Sequence, residues 1–66
     1  MNFRKTRNRI LKLKHIKSCE YFTYNNRVDF IARDLKDNRY GQGVDLLEQN
    51  GRDIEEIVVA KFNKII

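Results

Sequence analysis

The chain has 66 residues, of which 14 are Lys or Arg, 9 are Asp or Glu, and 41% are hydrophobic. That length allows one small domain with a marginal core, and the apolar content is enough to fold it rather than leave it disordered. A single Cys and a single His exclude an intrachain disulfide and a zinc site built by this chain alone. No run of roughly 18 apolar residues is present to cross a membrane.

Charge is unevenly spread. The first 17 residues carry Arg4, Lys5, Arg7, Arg9, Lys12, Lys14 and Lys17 with no acidic residue, a net of +7. The remaining seven basic residues meet all nine acidic ones, a net of −2. Such a split marks a surface for an anionic partner joined to an ordinary soluble body. No apolar stretch follows the basic N-terminus, so a secretory leader is not expected. The lone thiol suits a reducing, cytoplasmic setting.

Residues 1–9 are read as a basic arm, and 10–66 as one small α+β domain. In residues 10–17, Leu11, Leu13 and His15 alternate with Lys12 and Lys14. This alternation favours a strand over the helix that would place Ile10, Leu13 and Lys17 on one side, with Phe3 and Thr6 above them.

Residues 19–32, CEYFTYNNRVDFIA, form the clearest pattern. A two-residue turn at Asn25-Asn26 pairs Tyr24 with Arg27, Thr23 with Val28 and Tyr21 with Phe30. Cys19, Tyr21, Thr23, Val28, Phe30 and Ala32 then share an apolar face. Glu20, Phe22, Tyr24, Arg27, Asp29, Ile31 and Arg33 share the other. With residues 10–17 beside it, the hairpin extends to a three-stranded meander.

Gly41 and Gly43, in RYGQGV, read as a joint between two halves. Beyond it, VDLLEQNG predicts a helix ending at Gly51. A second helix follows, with Asp53 as cap and Ile54, Ile57, Val58, Phe62 and Ile65 along one face. The expected fold is therefore a small antiparallel hairpin or meander packed by a C-terminal helical pair.

Lys and Arg at this density match phosphate, because each neutralised phosphate releases counterions. The leading expectation is a non-enzymatic protein binding RNA or DNA with little sequence specificity. Arg4, Lys5, Arg7, Arg9, Lys12, Lys14 and Lys17 would contact phosphates, and Arg27 would extend the footprint. RKTRNR is similar in composition to short Arg-rich peptides that order on RNA. Phe22, Tyr24 and Arg33 form a candidate interface. They suit base stacking, but a core or dimer contact is the favoured reading.

No cofactor or metal is expected. His15 and Cys19 lie too far apart on a strand to act as a catalytic pair. Asp29, Asp34 and Asp37 match no metal loop and read as surface charges. A helix-turn-helix is disfavoured because Asp53, Glu55 and Glu56 would begin the recognition helix and repel phosphate. The alternative function is a phage-type inhibitor or adaptor that binds a nucleic-acid-handling protein complex, such as a host nuclease or polymerase. The small core and the spare aromatic face also allow a homodimer.

Overall fold

A computed structural model describes residues 2–47 and 51–65. Its elements are α1 (Phe3–Leu11), β1 (Ile16–Tyr24), β2 (Arg27–Asp34), β3 (Arg39–Asp45) and α2 (Gly51–Asn63). The strands form one antiparallel sheet in the order β1-β2-β3. No helix among the described residues is long and apolar enough to cross a membrane.

The hairpin forms with the expected register: Tyr24 opposes Arg27, Thr23 opposes Val28, Tyr21 opposes Phe30 and Cys19 opposes Ala32. Asn26 takes a φ of 57°, a left-handed conformation that Asn tolerates better than most residues. A register shift between Ile16 and Ser18 places Lys17 in a bulge at the start of β1.

The α+β class and the three-stranded meander hold, but the third strand is not residues 10–17. Ile10 and Leu11 end α1, residues 12–15 turn, and Ile16 and Lys17 begin β1, with the Leu13 amide donating to the Ile10 carbonyl and the Ile16 amide to that of Leu13. Helix wins because Phe3, Thr6, Ile10 and Leu13 repeat at helical spacing, and Asn2 caps them. The Asn2 side chain accepts from the Lys5 amide at 3.0 Å. The segment read as a basic arm, residues 1–9, is thus helical from Phe3. Buried Thr6 and Ile10 anchor it.

The third strand comes instead from the expected joint. Tyr40, Gln42 and Val44 oppose Ala32, Phe30 and Val28 on the inner face, while Gly41 and Gly43 oppose Ile31 and Asp29 on the outer one. The helix expected over residues 44–51 is displaced: Val44 and Asp45 end β3, Leu46 and Leu47 turn, and residues 48–50 lie outside the described residues. The two helices therefore flank the sheet in sequence instead of forming a C-terminal pair. The last helix begins at Gly51, so Asp53 lies in its first turn rather than at its cap.

Both helices cover the same sheet face. Ile10, Val28, Phe30, Ala32, Val44, Ile54, Val58 and Phe62 are buried in one cluster, with Phe3, Tyr21 and Tyr40 packed around it. The rings of Phe3, Tyr21 and Phe30 stand 5.9–6.3 Å apart in tilted and edge-on contacts. A nine-residue helix is marginal alone, so α1 depends on this packing. Among the described residues, no helix covers the opposite sheet face.

Candidate nucleic-acid interface

The core contacts of α1 decide which of its cations are free. Phe3, Thr6, Ile10 and Leu13 point inward, so the 100° step per residue turns Arg4, Lys5, Asn8 and Lys12 to solvent. These four residues, with Asn2 and Arg9, line a shallow depression of about 320 Å³. Arg4 and Lys12 are eight residues apart, which is about 12 Å along the axis, or three to four base pairs of duplex.

Arg9 sits at the edge of this face and is already occupied. Its Nη1 lies 3.0 Å from Glu55 Oε1 and 2.7 Å from Glu56 Oε1 on α2. Hydrogen bonds that Arg9 donates to these carboxylates, Glu56 first, raise its pKa, and Arg9 in turn holds the Glu56 carboxyl below its ordinary range. At the other edge, Arg7 is half-buried, with its guanidinium 5.9 Å from the Tyr21 ring centroid. Its Nη2 donates to Asn8 Oδ1 at 3.3 Å.

The other basic residues divide in the same way. Lys17 pairs with Asp37 at 3.3 Å, Arg33 with Asp37 at 3.4 Å, and Arg27 with Asp29 at 3.2 Å. Among the described residues, Arg4, Lys5, Lys12 and Lys14 have no carboxylate within 4.0 Å. The seven basic residues of the N-terminal segment thus reduce to four uncommitted cations, three of them on one helix face.

Phe22, Tyr24, Arg27 and Arg33 lie on the open sheet face, across the sheet from both helices. Phe22 and Tyr24 are 45% and 60% exposed, so neither is core. Arg27 is therefore separated from the α1 surface by the thickness of the sheet and does not extend its footprint. Its guanidinium lies over Gly43 instead, where a Cβ would meet Arg27 and Asp29. In a strand, glycine often marks such a close approach.

His15 and Cys19 are apart and separately employed. The His15 Nε2–H donates to the Phe62 carbonyl at 2.8 Å, tying down the end of α2. Cys19 is buried, and burial pushes its thiol up to about 11. Asp34 accepts from Lys36, Asn38 and Tyr40 within the β2–β3 turn. No three His, Cys, Asp or Glu side chains gather as metal ligands among the described residues. A cleft of about 360 Å³ is lined in part by His15, Asp34, Leu35 and Tyr40. Both His15 and Asp34 are already bonded within the fold.

Three participants escape a linear reading. Asn8 joins the α1 depression through helical spacing. Glu20 and Arg39 join Phe22 on the open face through pairing of β1, β2 and β3. The alternation of Arg39, Gly41 and Gly43 with Tyr40, Gln42 and Val44 is the signal for β3, masked by reading glycine as a joint. Comparison with protein-family models, with curated proteins and with solved structures finds no match to this chain.

Proposed function

We propose that this chain is a non-enzymatic nucleic-acid-binding protein of a reducing, cytoplasmic compartment that grips phosphates with the outer face of α1. One observation carries the reading: Arg4, Lys5 and Lys12 share a depression with Asn8 and, among the described residues, make no ion pair within 4.0 Å. Uncommitted cations on a rigid helix meet phosphate without first breaking an ion pair. Asn8 adds an amide that hydrogen-bonds phosphate or sugar. Such contacts position the protein without reading sequence.

Fluorescence anisotropy on labelled duplex DNA, duplex RNA and single-stranded RNA tests this across a salt series. Four free cations predict a slope of log K against log salt of roughly −3 to −4 on duplex DNA. Engagement of all seven N-terminal cations would give roughly −6. The variant R4A/K5A/K12A should flatten the slope to about −1. If the intact chain binds none of these probes at low salt, the reading fails and a protein target becomes the better explanation.

A further inference from the structure

The open sheet face carries a second constellation that the α1 surface does not explain. Register places Glu20, Ile31 and Gly41 in one row across the three strands, Ser18, Arg33 and Arg39 in the next. Phe22 stands on the other side of Glu20 along β1. Together Ser18, Glu20, Phe22, Ile31, Arg33 and Arg39 enclose a depression of about 180 Å³. Its floor is flat for a specific reason. Gly41 has no side chain, and a Cβ there would approach Ile31 Cδ1 to 3.2 Å. Phe22 offers a ring face at 45% exposure.

The charges matter most. Arg33 is held by Asp37. Glu20 and Arg39 line the same depression, yet neither has an ion-pair partner within 4.0 Å among the described residues. An acceptor-only group and a forked donor stand without an ion pair on either side of Ile31 and Gly41, in a depression whose lining is mostly polar.

We propose that this depression binds an unpaired guanine base of a single-stranded nucleic acid. The base would stack on Phe22 over Ile31 and Gly41. Guanine is the base whose two edges match both groups. Its N1–H and N2–H donate side by side to one carboxylate, Glu20. Its O6 and N7 accept side by side from one guanidinium, Arg39. Cytosine and adenine lack the paired donor edge, and uracil lacks N7. The site lies on the opposite side of the sheet from α1, so it stands independently of phosphate binding there.

The test is anisotropy on labelled single-stranded tetranucleotides with one variable base, UGUU, UAUU, UCUU and UUUU, at fixed salt, with sedimentation of the free protein alongside. The wild type should prefer the guanine probe by about tenfold or more, the discrimination expected of one bidentate pair. E20Q should abolish the preference. F22A should weaken all four probes by roughly tenfold, and F22Y should restore binding. The variant R4A/K5A/K12A should keep the guanine preference while its salt slope on duplex flattens to about −1, so the two readings fail separately. A preference unchanged in E20Q, equal affinity for all four probes, or no tetranucleotide binding overturns the proposal. So does a wild-type dimer that F22A dissociates, which would give this face to a second copy of the chain.

Discussion

Four donors converge on the Asp34 carboxylate. The Lys36 and Asn38 amides reach one oxygen at 2.9 and 2.8 Å, and the Asn38 side-chain amide and Tyr40 hydroxyl reach the other at 3.0 and 3.1 Å. Between them Asp37 takes a φ of 69°, so the β2–β3 turn contains a left-handed non-glycine residue. The carboxylate compensates by satisfying the turn's amides. These bonds, the Asn38 side chain first, hold the Asp34 carboxyl below its ordinary range. A depressed folded pKa contributes stability above the unfolded value of about 4, and that stability is lost as pH falls through the folded value. Tyr40 is the opposite case. Its hydroxyl is pushed up chiefly by the bond to Asp34, so its contribution is lost as pH rises through the raised value. Asp34→Asn turns an acceptor into a donor against Asn38 and Tyr40. Thermal melts followed by circular dichroism should show a lower midpoint for D34N at pH 7 and a smaller drop from pH 5 to about pH 3 than wild type. A D34N midpoint equal to wild type at pH 7 would show that the turn does not need the charge.

At the scale of elements, α1 is a basic helix that must lie on a fold whose last helix starts acidic. Arg9 turns that opposition into a contact by meeting Glu55 and Glu56, which leaves Arg4, Lys5 and Lys12 facing outward. Structural and ligand-facing cations should therefore separate by mutation. Arg9→Ala should lower the thermal midpoint modestly, since it removes the partner of the partly buried Glu55 carboxylate while Glu56 stays solvated, and leave the salt slope of nucleic-acid binding unchanged. Lys12→Ala should do the reverse, with stability within about 0.5 kcal/mol of wild type and the slope reduced by about 1. Equal effects of both variants on the slope would place Arg9 in the binding surface after all. The same residues explain what was legible beforehand. The hairpin and the stripe of α2 were readable because their apolar residues keep one period over many positions. Residues 10–17 misled because three alternating positions outweighed Phe3, Thr6 and Ile10, a helical series interrupted by charge and by a polar Thr that proves fully buried. β3 misled because Gly41 and Gly43 punctuate a chain in most contexts. Here they are strand residues whose missing side chains make room for Ile31 and Arg27. The division of cations into free and occupied was not readable at all. For Arg9 and Lys17 it depends on Glu55, Glu56 and Asp37 arriving from distant positions, whereas Arg27 and Asp29 pair two residues apart on one strand.

For the molecule as a whole, two layers give two kinds of surface. Both helices of the described residues lie on one sheet face, so among those residues the inner face supplies the core and the outer face supplies none of the buried cluster. A domain of this size has about 3–10 kcal/mol of stability in total. Phe62 and Phe22 make the contrast measurable, because one residue type occupies both extremes. Phe62 is fully buried, packed where α2 meets the inner face, and its carbonyl accepts from His15. Phe62→Ala deletes a ring from that core and should cost about 3–5 kcal/mol, a large share of the total. It should unfold much of the population at 37 °C, seen as lost helical and strand signal in circular dichroism. Phe22→Ala removes the same ring from a solvent-facing position and should leave spectrum and midpoint close to wild type. Any loss of binding in F22A is then a loss of ligand contact and not of fold. If F22A instead unfolds as F62A does, the outer face is not free. Some partner or second copy of the chain must then cover it for the sheet to persist.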